Sequence, residues 1–287
     1  MGAPPENSLI CPTRRLVLCQ TASVAGLALL APQSTFGREF ADDNAIAAGQ
    51  ALRSPDLHTA GAVSVQHNLV TGTLINFGYR TPAGNQPSEF QNGVYLWPVS
   101  ANQIPWTSPS VAQDGILLNQ PRGDQNLTNI ALGTDAYILG YAVGPDTPKT
   151  ADNTGTYWTE FGNVVASAYI AGTSKSLTLQ ETARCLVKPL FVGTNSLSYQ
   201  FEFLTGFFAA RSGAWAGVWE GSAVSYAVPP KWHAKIQIES SQGVSGLNGL
   251  NFERGQKYTI GLYPTGYSDD PASLDLKRLA AFSVFSG

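Results

Sequence analysis

Two stretches of sequence decide the fold: residues 73–97, TLINFGYRTPAGNQPSEFQNGVYLW, and residues 197–220, LSYQFEFLTGFFAARSGAWAGVWE. Both begin with large apolar side chains at every second position, which is the period of a strand with one buried face. At one constant offset, Ile75, Phe77 and Tyr79 match Tyr199, Phe201 and Phe203, and Gly93, Val94 and Tyr95 match Gly217, Val218 and Trp219. The agreement predicts two copies of one structural unit.

The match continues towards the end of each half. The segment NIALG at 129–133 resembles GLNFE at 249–253, and YILGY at 137–141 resembles YTIGL at 258–262. Each pair occurs in the same order along its half of the chain. A shared order of matches over about 100 residues indicates an internal duplication.

The duplication defines the predicted domains. A boundary near residues 172–174 gives a first copy at 55–172 and a second at 173–287, each of ordinary domain size. Within each copy, short apolar runs alternate with clusters of Gly, Pro, Asn and Ser, which predicts about seven strands. The predicted fold is therefore all-β, with two tandem immunoglobulin-like antiparallel sandwiches.

One strand of the second copy also carries a family resemblance. The segment WAGVWE at 215–220 resembles the Trp-x-Gly-hydrophobic-aromatic strand of SKICH-type and related immunoglobulin-like modules. The first copy departs from that pattern, because Asn92 leads into its Gly-Val-Tyr. The resemblance implies a module that binds or positions other proteins, and it brings no catalytic residue with it.

The N-terminus has the layout of an export signal. Arg14 and Arg15 precede Leu-Val-Leu and an apolar run, which resembles a twin-arginine signal. The run is less apolar and shorter than the ~20 residues of a membrane span. We expect a signal peptide at 1–37, cleaved near Ala31 or Gly37, then a leader at 38–54 with a short helix. The mature protein would be periplasmic or extracellular, without a stable membrane span.

Cleavage would leave one cysteine in the mature chain. Cys11 and Cys19 lie in the predicted signal, so Cys185 has no partner for an intramolecular disulfide. Two interpretations of Cys185 stay open. It is either a small buried side chain in a strand or an accessible, reactive thiol.

The charge pattern excludes a nucleic-acid partner. Only 13% of residues are charged, and the net charge is -3. Binding to phosphate backbones needs a basic surface, which the sequence does not offer.

The residues that usually carry catalysis occur without the usual spacings. His58, His67 and His233 form no metal-binding pattern with one another, and Gly-x-Ser-x-Gly is absent. We therefore predict no catalytic residues, no cofactor and no metal ligands. One alternative remains for two acidic loops, which contain Asp146, Asp152 and Asn153 in the first copy and Asp269, Asp270 and Asp275 in the second. They suit either turn formation or calcium binding.

Aromatic residues outside the repeated strands are the best functional candidates. Trp106 and Trp232 fall in Pro-containing connections, where tryptophan either binds a ligand or packs over the sandwich. The predicted ligand-binding residues are Trp106, Trp232, Tyr226 and His233. The sequence thus predicts an exported binding protein with a protein or carbohydrate ligand. Two alternatives remain: a cell-surface assembly protein, and an enzyme with a site between the two copies.

Overall fold

The structure of the chain, a computed structural model, describes residues 60–146, 159–172 and 181–287. Several predictions lie outside these residues, namely the signal peptide, the leader helix and those on His58, Asp152 and Asn153. None of the described helices is both long and apolar enough to cross a membrane.

Short strands make up most of the described chain. In the first half they are β1 (Ala60–Ala62), β2 (Ser64–Val70), β3 (Leu74–Arg80), β4 (Gly93–Val99), β5 (Ala112–Gly115), β6 (Arg122–Thr128), β7 (Ala136–Ala142) and β8 (Val164–Ile170). In the second half they are β9 (Glu181–Arg184), β10 (Leu186–Val192), β11 (Ser196–Glu202), β12 (Trp215–Glu220), β13 (Trp232–Lys235), β14 (Gln242–Asn248), β15 (Lys257–Tyr263) and β16 (Ala281–Ser286). The helical segments are α1 (Ala209–Ser212) and the 3-10 turns Pro271–Ser273 and Leu276–Arg278.

The strands form antiparallel sheets whose order repeats. Two sheets have three strands, in the orders β2-β3-β6 and β10-β11-β14. Two have five strands, in the orders β5-β4-β7-β8-β9 and β13-β12-β15-β16-β1. Each strand of the first half therefore has a counterpart eight strands later. The predicted all-β sandwich fold with an internal duplication is confirmed.

Within each copy, the three-stranded sheet packs on the five-stranded sheet. Strand β2 contacts β7 and β8, and β10 contacts β15 and β16. The apolar faces between the sheets belong to one continuous core that includes side chains of both copies. The two copies therefore share their buried interior.

The copies also exchange their first strands. β1 pairs with β16, the last strand of the second copy, and β9 pairs with β8, the last strand of the first. A single buried residue joins each exchanged strand to the next one, Val63 in the first copy and Cys185 in the second. The backbone N–H of Val63 donates to the carbonyl of Ala280 at 2.9 Å, and that of Cys185 donates to the carbonyl of Val165 at 3.1 Å. The boundary at 172/173 stays a prediction about the chain, since in space the first strand of each copy completes a sheet of the other.

The residue-by-residue match of β4 with β12 differs from the sequence alignment by two positions. Tyr95 pairs with Gly140 as Gly217 pairs with Gly261. The indole of Trp97 donates to Ser108 at 3.1 Å, and that of Trp219 donates to Val228 at 2.9 Å. Trp219 therefore corresponds to Trp97, whereas the sequence alignment placed it opposite Tyr95.

The same correction applies to β3 and β11. Ile75 pairs with Leu127 in β6, and Leu197 pairs with Leu247 in β14. Hence Phe77 corresponds to Tyr199, while Phe201 corresponds to Tyr79. A shift of two residues leaves each side chain on the same face of its strand. Phe77 and Phe201 are both fully buried in equivalent strands, but the predicted match of these two residues with each other is wrong.

Cys185 occupies a core position. Its side chain is fully buried and corresponds to Val63 of the first copy, because both residues follow an exchanged strand. Burial raises the pKa of the Cys185 thiol well above its usual range. The structure thus agrees with the interpretation as a small buried side chain.

Candidate functional site

Strand β13 lies at the outer edge of a five-stranded sheet. It pairs with β12 on one side, and no described strand pairs with its other side. Strand β14 ends the facing three-stranded sheet in the same way. Two open edges therefore lie next to each other on one side of the second copy.

A groove separates these two edges. Its volume is about 380 Å³, and its lining residues come from both strands: Lys231, Trp232, His233, Ala234, Gly246, Leu247 and Asn248. Two predicted ligand-binding residues, Trp232 and His233, therefore lie at one groove. Sequence reasoning missed Lys231 and Asn248, although Lys231 directly precedes Trp232 in the sequence.

Trp232 combines a packed face with an accessible one. Its half-buried ring lies 5.8 Å from the ring of Phe252 and 6.3 Å from that of Tyr258, measured between centroids. The ammonium of Lys231 lies 4.8 Å from the indole centroid and also pairs with Glu220. The bond to Glu220 raises the pKa of Lys231, so the lysine stays charged. The groove thus offers an aromatic surface beside a cation.

His233 directs its ring to the other face of the sheet. The ring lies 6.4 Å from that of Trp215 and 5.9 Å from that of Tyr267. Neighbouring side chains of a strand point to opposite faces, so Trp232 and His233 do not share one contact surface. The backbone of His233 lies at the groove, and its side chain belongs to an aromatic cluster on the outer face.

Tyr226 lies away from the groove, where the two copies meet. Its ring is 5.4 Å from that of Phe90 in the first copy. Burial raises the pKa of the Tyr226 hydroxyl well above its usual range. The half-buried ring of Tyr226 therefore packs between the two copies.

Trp106 also connects the copies. Its side chain is only 6% exposed, its indole donates to the carbonyl of Thr205 at 2.9 Å, and its ring packs edge-on against Phe207 at 5.5 Å. The alternative stated for a loop tryptophan, packing against the body of the sandwich, describes this arrangement. The four predicted residues therefore divide into a pair at the groove and a pair between the copies.

The acidic loop of the second copy uses its carboxylates for local structure. Asp270 accepts from the amide of Ala272 at 3.1 Å and from the hydroxyl of Ser273 at 2.8 Å, and these bonds lower its pKa. Asp275 bonds to Arg278 at 2.6 Å, and Asp269 accepts from Tyr267 at 2.8 Å. These bonds agree with turn formation. Among the described residues, no group of three or more His, Cys, Asp or Glu side chains is arranged to hold a metal ion.

The equivalent edge of the first copy has different residues. There the edge strands are β5 and β6, and Val111, Ala112 and Gln113 replace Lys231, Trp232 and His233. The backbone hydrogen bonds at the two edges are equivalent: the N–H of Val111 donates to the carbonyl of Leu96, and the N–H of Lys231 donates to the carbonyl of Val218. The backbone is thus repeated, whereas the aromatic and basic side chains belong to the second copy alone.

No protein-family model matches the sequence, and no curated protein matches it. Among solved structures, the chain is similar to a DUF3823 family protein from Bacteroides uniformis, at 17% sequence identity and a TM-score of 0.27. The match covers 77% of this chain and 96% of that one. A TM-score this low establishes neither the fold nor the function.

Proposed function

We propose that this chain is an exported, non-catalytic binding protein whose ligand contacts the groove between β13 and β14. The observation that supports this most directly is the difference between this edge and the equivalent edge of the first copy. The fold tolerates Val111, Ala112 and Gln113 at the edge of the first copy. The equivalent edge thus folds without an aromatic and basic segment, which supports a binding role for the exposed part of Trp232 and for Lys231.

The exposed part of the groove suits ligand binding. Trp232 presents a rigid aromatic surface, which loses little conformational entropy when a ligand covers it. Lys231, with about half of its side chain exposed, adds a positive charge at the rim. Aromatic residues beside a charged rim are common in interfaces that bind proteins or sugars.

The proposal also includes export and a relation to SKICH-type immunoglobulin-like modules. Export rests on Arg14-Arg15 before an apolar run and implies a periplasmic or extracellular site of action. The relation to SKICH-type immunoglobulin-like modules rests on the segment at 215–220, which forms β12 beside the groove strand. Both support a module that contacts other molecules outside the cytoplasm.

The proposal is tested with two chemical classes of probe, namely hexasaccharides (cellohexaose, chitohexaose and maltohexaose) and capped ten-residue peptides. We expect one class to bind, and Trp232→Ala to weaken binding at least about tenfold. Gln113→Ala, at the equivalent of His233, is the matched control and leaves binding unchanged. Lys231→Ala serves as a second variant, because its exposed side chain supports no core packing. If neither class binds, or if both groove variants bind normally, the proposal is wrong.

The exchanged strands favour assembly as a second candidate function. Strand β1 adds to the edge of β16, and the same edge on another molecule could accept it. Sedimentation at increasing protein concentration distinguishes the two functions. A fixed monomer mass supports the binding protein, and growth into larger species supports assembly.

A further inference from the structure

The edge of β5 in the first copy is closed by side chains. The amide of Gln125, in β6, donates to the carbonyl of Gly115 at 2.8 Å and accepts from the N–H of Leu117 at 3.0 Å. Asp114 accepts from the N–H of Gly115 at 2.8 Å. Three successive polar groups of the free backbone edge are thus satisfied within the molecule.

The two bonds of Gln125 imitate those of an added strand. Ile116 donates to Asn92, so the polar groups of Gly115 and Leu117 point away from the sheet. One residue of a neighbouring parallel strand would donate its N–H to the same carbonyl and accept from the same N–H with its own carbonyl. The carboxamide of Gln125 therefore occupies the position of a strand partner.

The second copy has the same backbone edge without these side chains. Ile236 donates to Ala214, so the polar groups of Lys235 and Gln237 point outward in the same way. Ala234 replaces Asp114, and Ser245 replaces Gln125. Neither replacement can reach the edge, and among the described residues no hydrogen bond joins β14 to Lys235 or Gln237.

We infer that this edge binds an extended polypeptide segment, which adds as a strand along residues 233–237 beside the groove. The inference rests on the proposed function and names its ligand class. Main-chain hydrogen bonds to His233, Lys235 and Gln237 supply the binding, as in other cases of strand addition. The segment takes the place that the Gln125 carboxamide fills in the first copy.

The side chains of β13 specify the character of the segment. His233 and Lys235 share one face of the strand, where the first copy has Gln113 and Gly115. Lys231 precedes the strand, and its ammonium lies over the ring of Trp232. Trp232 and Ala234 share the other face, which borders the core. A bound segment therefore alternates, with acidic side chains beside the basic face and small apolar side chains towards Trp232.

The test uses a capped, fluorescein-labelled decapeptide of alternating Glu and Val, with a Lys and Val decapeptide as charge control. Binding to the full mature protein is followed by fluorescence anisotropy. The main variant combines Tyr199→Phe with Ser245→Gln. It gives the second copy the same two residues that the first copy has at 77 and 125, so that a glutamine can close the edge. Ala234→Asp, which installs the other edge side chain, is a second variant in case the first fails to fold. Gln113→Ala is the matched control in the first copy.

We expect the acidic peptide to bind the natural sequence and the control equally. Two lost backbone hydrogen bonds should lower the affinity of the double variant about 10- to 100-fold. The Lys and Val peptide should bind at least about tenfold more weakly. Hydrogen exchange at the Gln237 amide should slow when the peptide is bound.

The outcomes separate this inference from the proposed function. Equal binding to the double variant and to Ala234→Asp, or unchanged exchange at Gln237, would overturn strand addition. If a hexasaccharide binds in a Trp232-dependent manner and the peptide does not, the proposed function stands and the inference is wrong. If no probe binds, both are wrong, and the basic edge only protects β13 against aggregation.

Discussion

Replacing Phe201 with alanine tests the shared core of the two copies. Phe201 lies in β11, the central strand of its three-stranded sheet, and is fully buried; its ring is 5.9 Å from that of Phe203. Truncating a buried phenylalanine removes its transfer free energy and leaves a cavity, at a cost of about 3–5 kcal/mol. For a chain of this size that lowers Tm by roughly 6–20 °C.

Phe77→Ala tests the same core from the first copy, since Phe77 is also fully buried in the equivalent strand β3. Because the copies exchange strands and share a core, both variants should shift one common unfolding transition. Urea titration followed by circular dichroism, together with calorimetry, measures the free energy of unfolding and the number of transitions. Phe191→Ala, at a side chain 63% exposed, is the control and should change stability little.

Two results would refute this reasoning. A loss below about 1 kcal/mol in either variant would mean that these rings are not core side chains. Two separate transitions, only one of which moves with each variant, would mean that the copies unfold independently.

Three further predictions concern single residues and the N-terminus. Trp106→Phe removes the bond to Thr205 and should lower the free energy of unfolding by about 1–2 kcal/mol in urea titration; no change would deny Trp106 a structural role. Cys185 should react with a thiol reagent slowly in the native protein and quickly after unfolding, and rapid native labelling would contradict its burial. Mass spectrometry of protein from its native host should find an N-terminus between about Pro32 and Asp43, whereas intact Met1 alone would contradict export.

The sequence predicted the fold class because a buried strand face has a simple period. Alternating apolar residues identify β3 and β11 without knowledge of their partners. The same signal could not fix the alignment between copies, since a shift of two residues preserves both the alternation and the buried face. Pairing partners were needed to match Trp97 with Trp219.

The exchange of strands between the copies could not be predicted from the sequence, for a related reason. Alternation shows that a strand has a buried face, but it does not say which edge the strand joins. β1 has three residues and β9 has four, too few for a specific pattern. Their partners became known only from the pairing of β1 with β16 and of β9 with β8.

The candidate site was predicted in part. Trp232 and His233 were selected as aromatic residues outside the repeated strands, and both lie at the groove. Trp106 and Tyr226 were selected on the same grounds and lie between the copies, because composition does not distinguish an exposed ring from a packed one. The role of Gln125 depends on two backbone groups in another sheet, so no local pattern could indicate it.

Because the first strands are exchanged, one copy by itself would have incomplete sheets. A single copy would have a first strand without its acceptor edge and a last strand without its neighbour. Two such molecules would satisfy each other as a twofold-symmetric dimer, in which both edge grooves would be identical by symmetry. Joining the copies in one chain removes that constraint. Each edge has its own residues, so one edge can stay closed by Gln125 while the other carries Lys231 and Trp232.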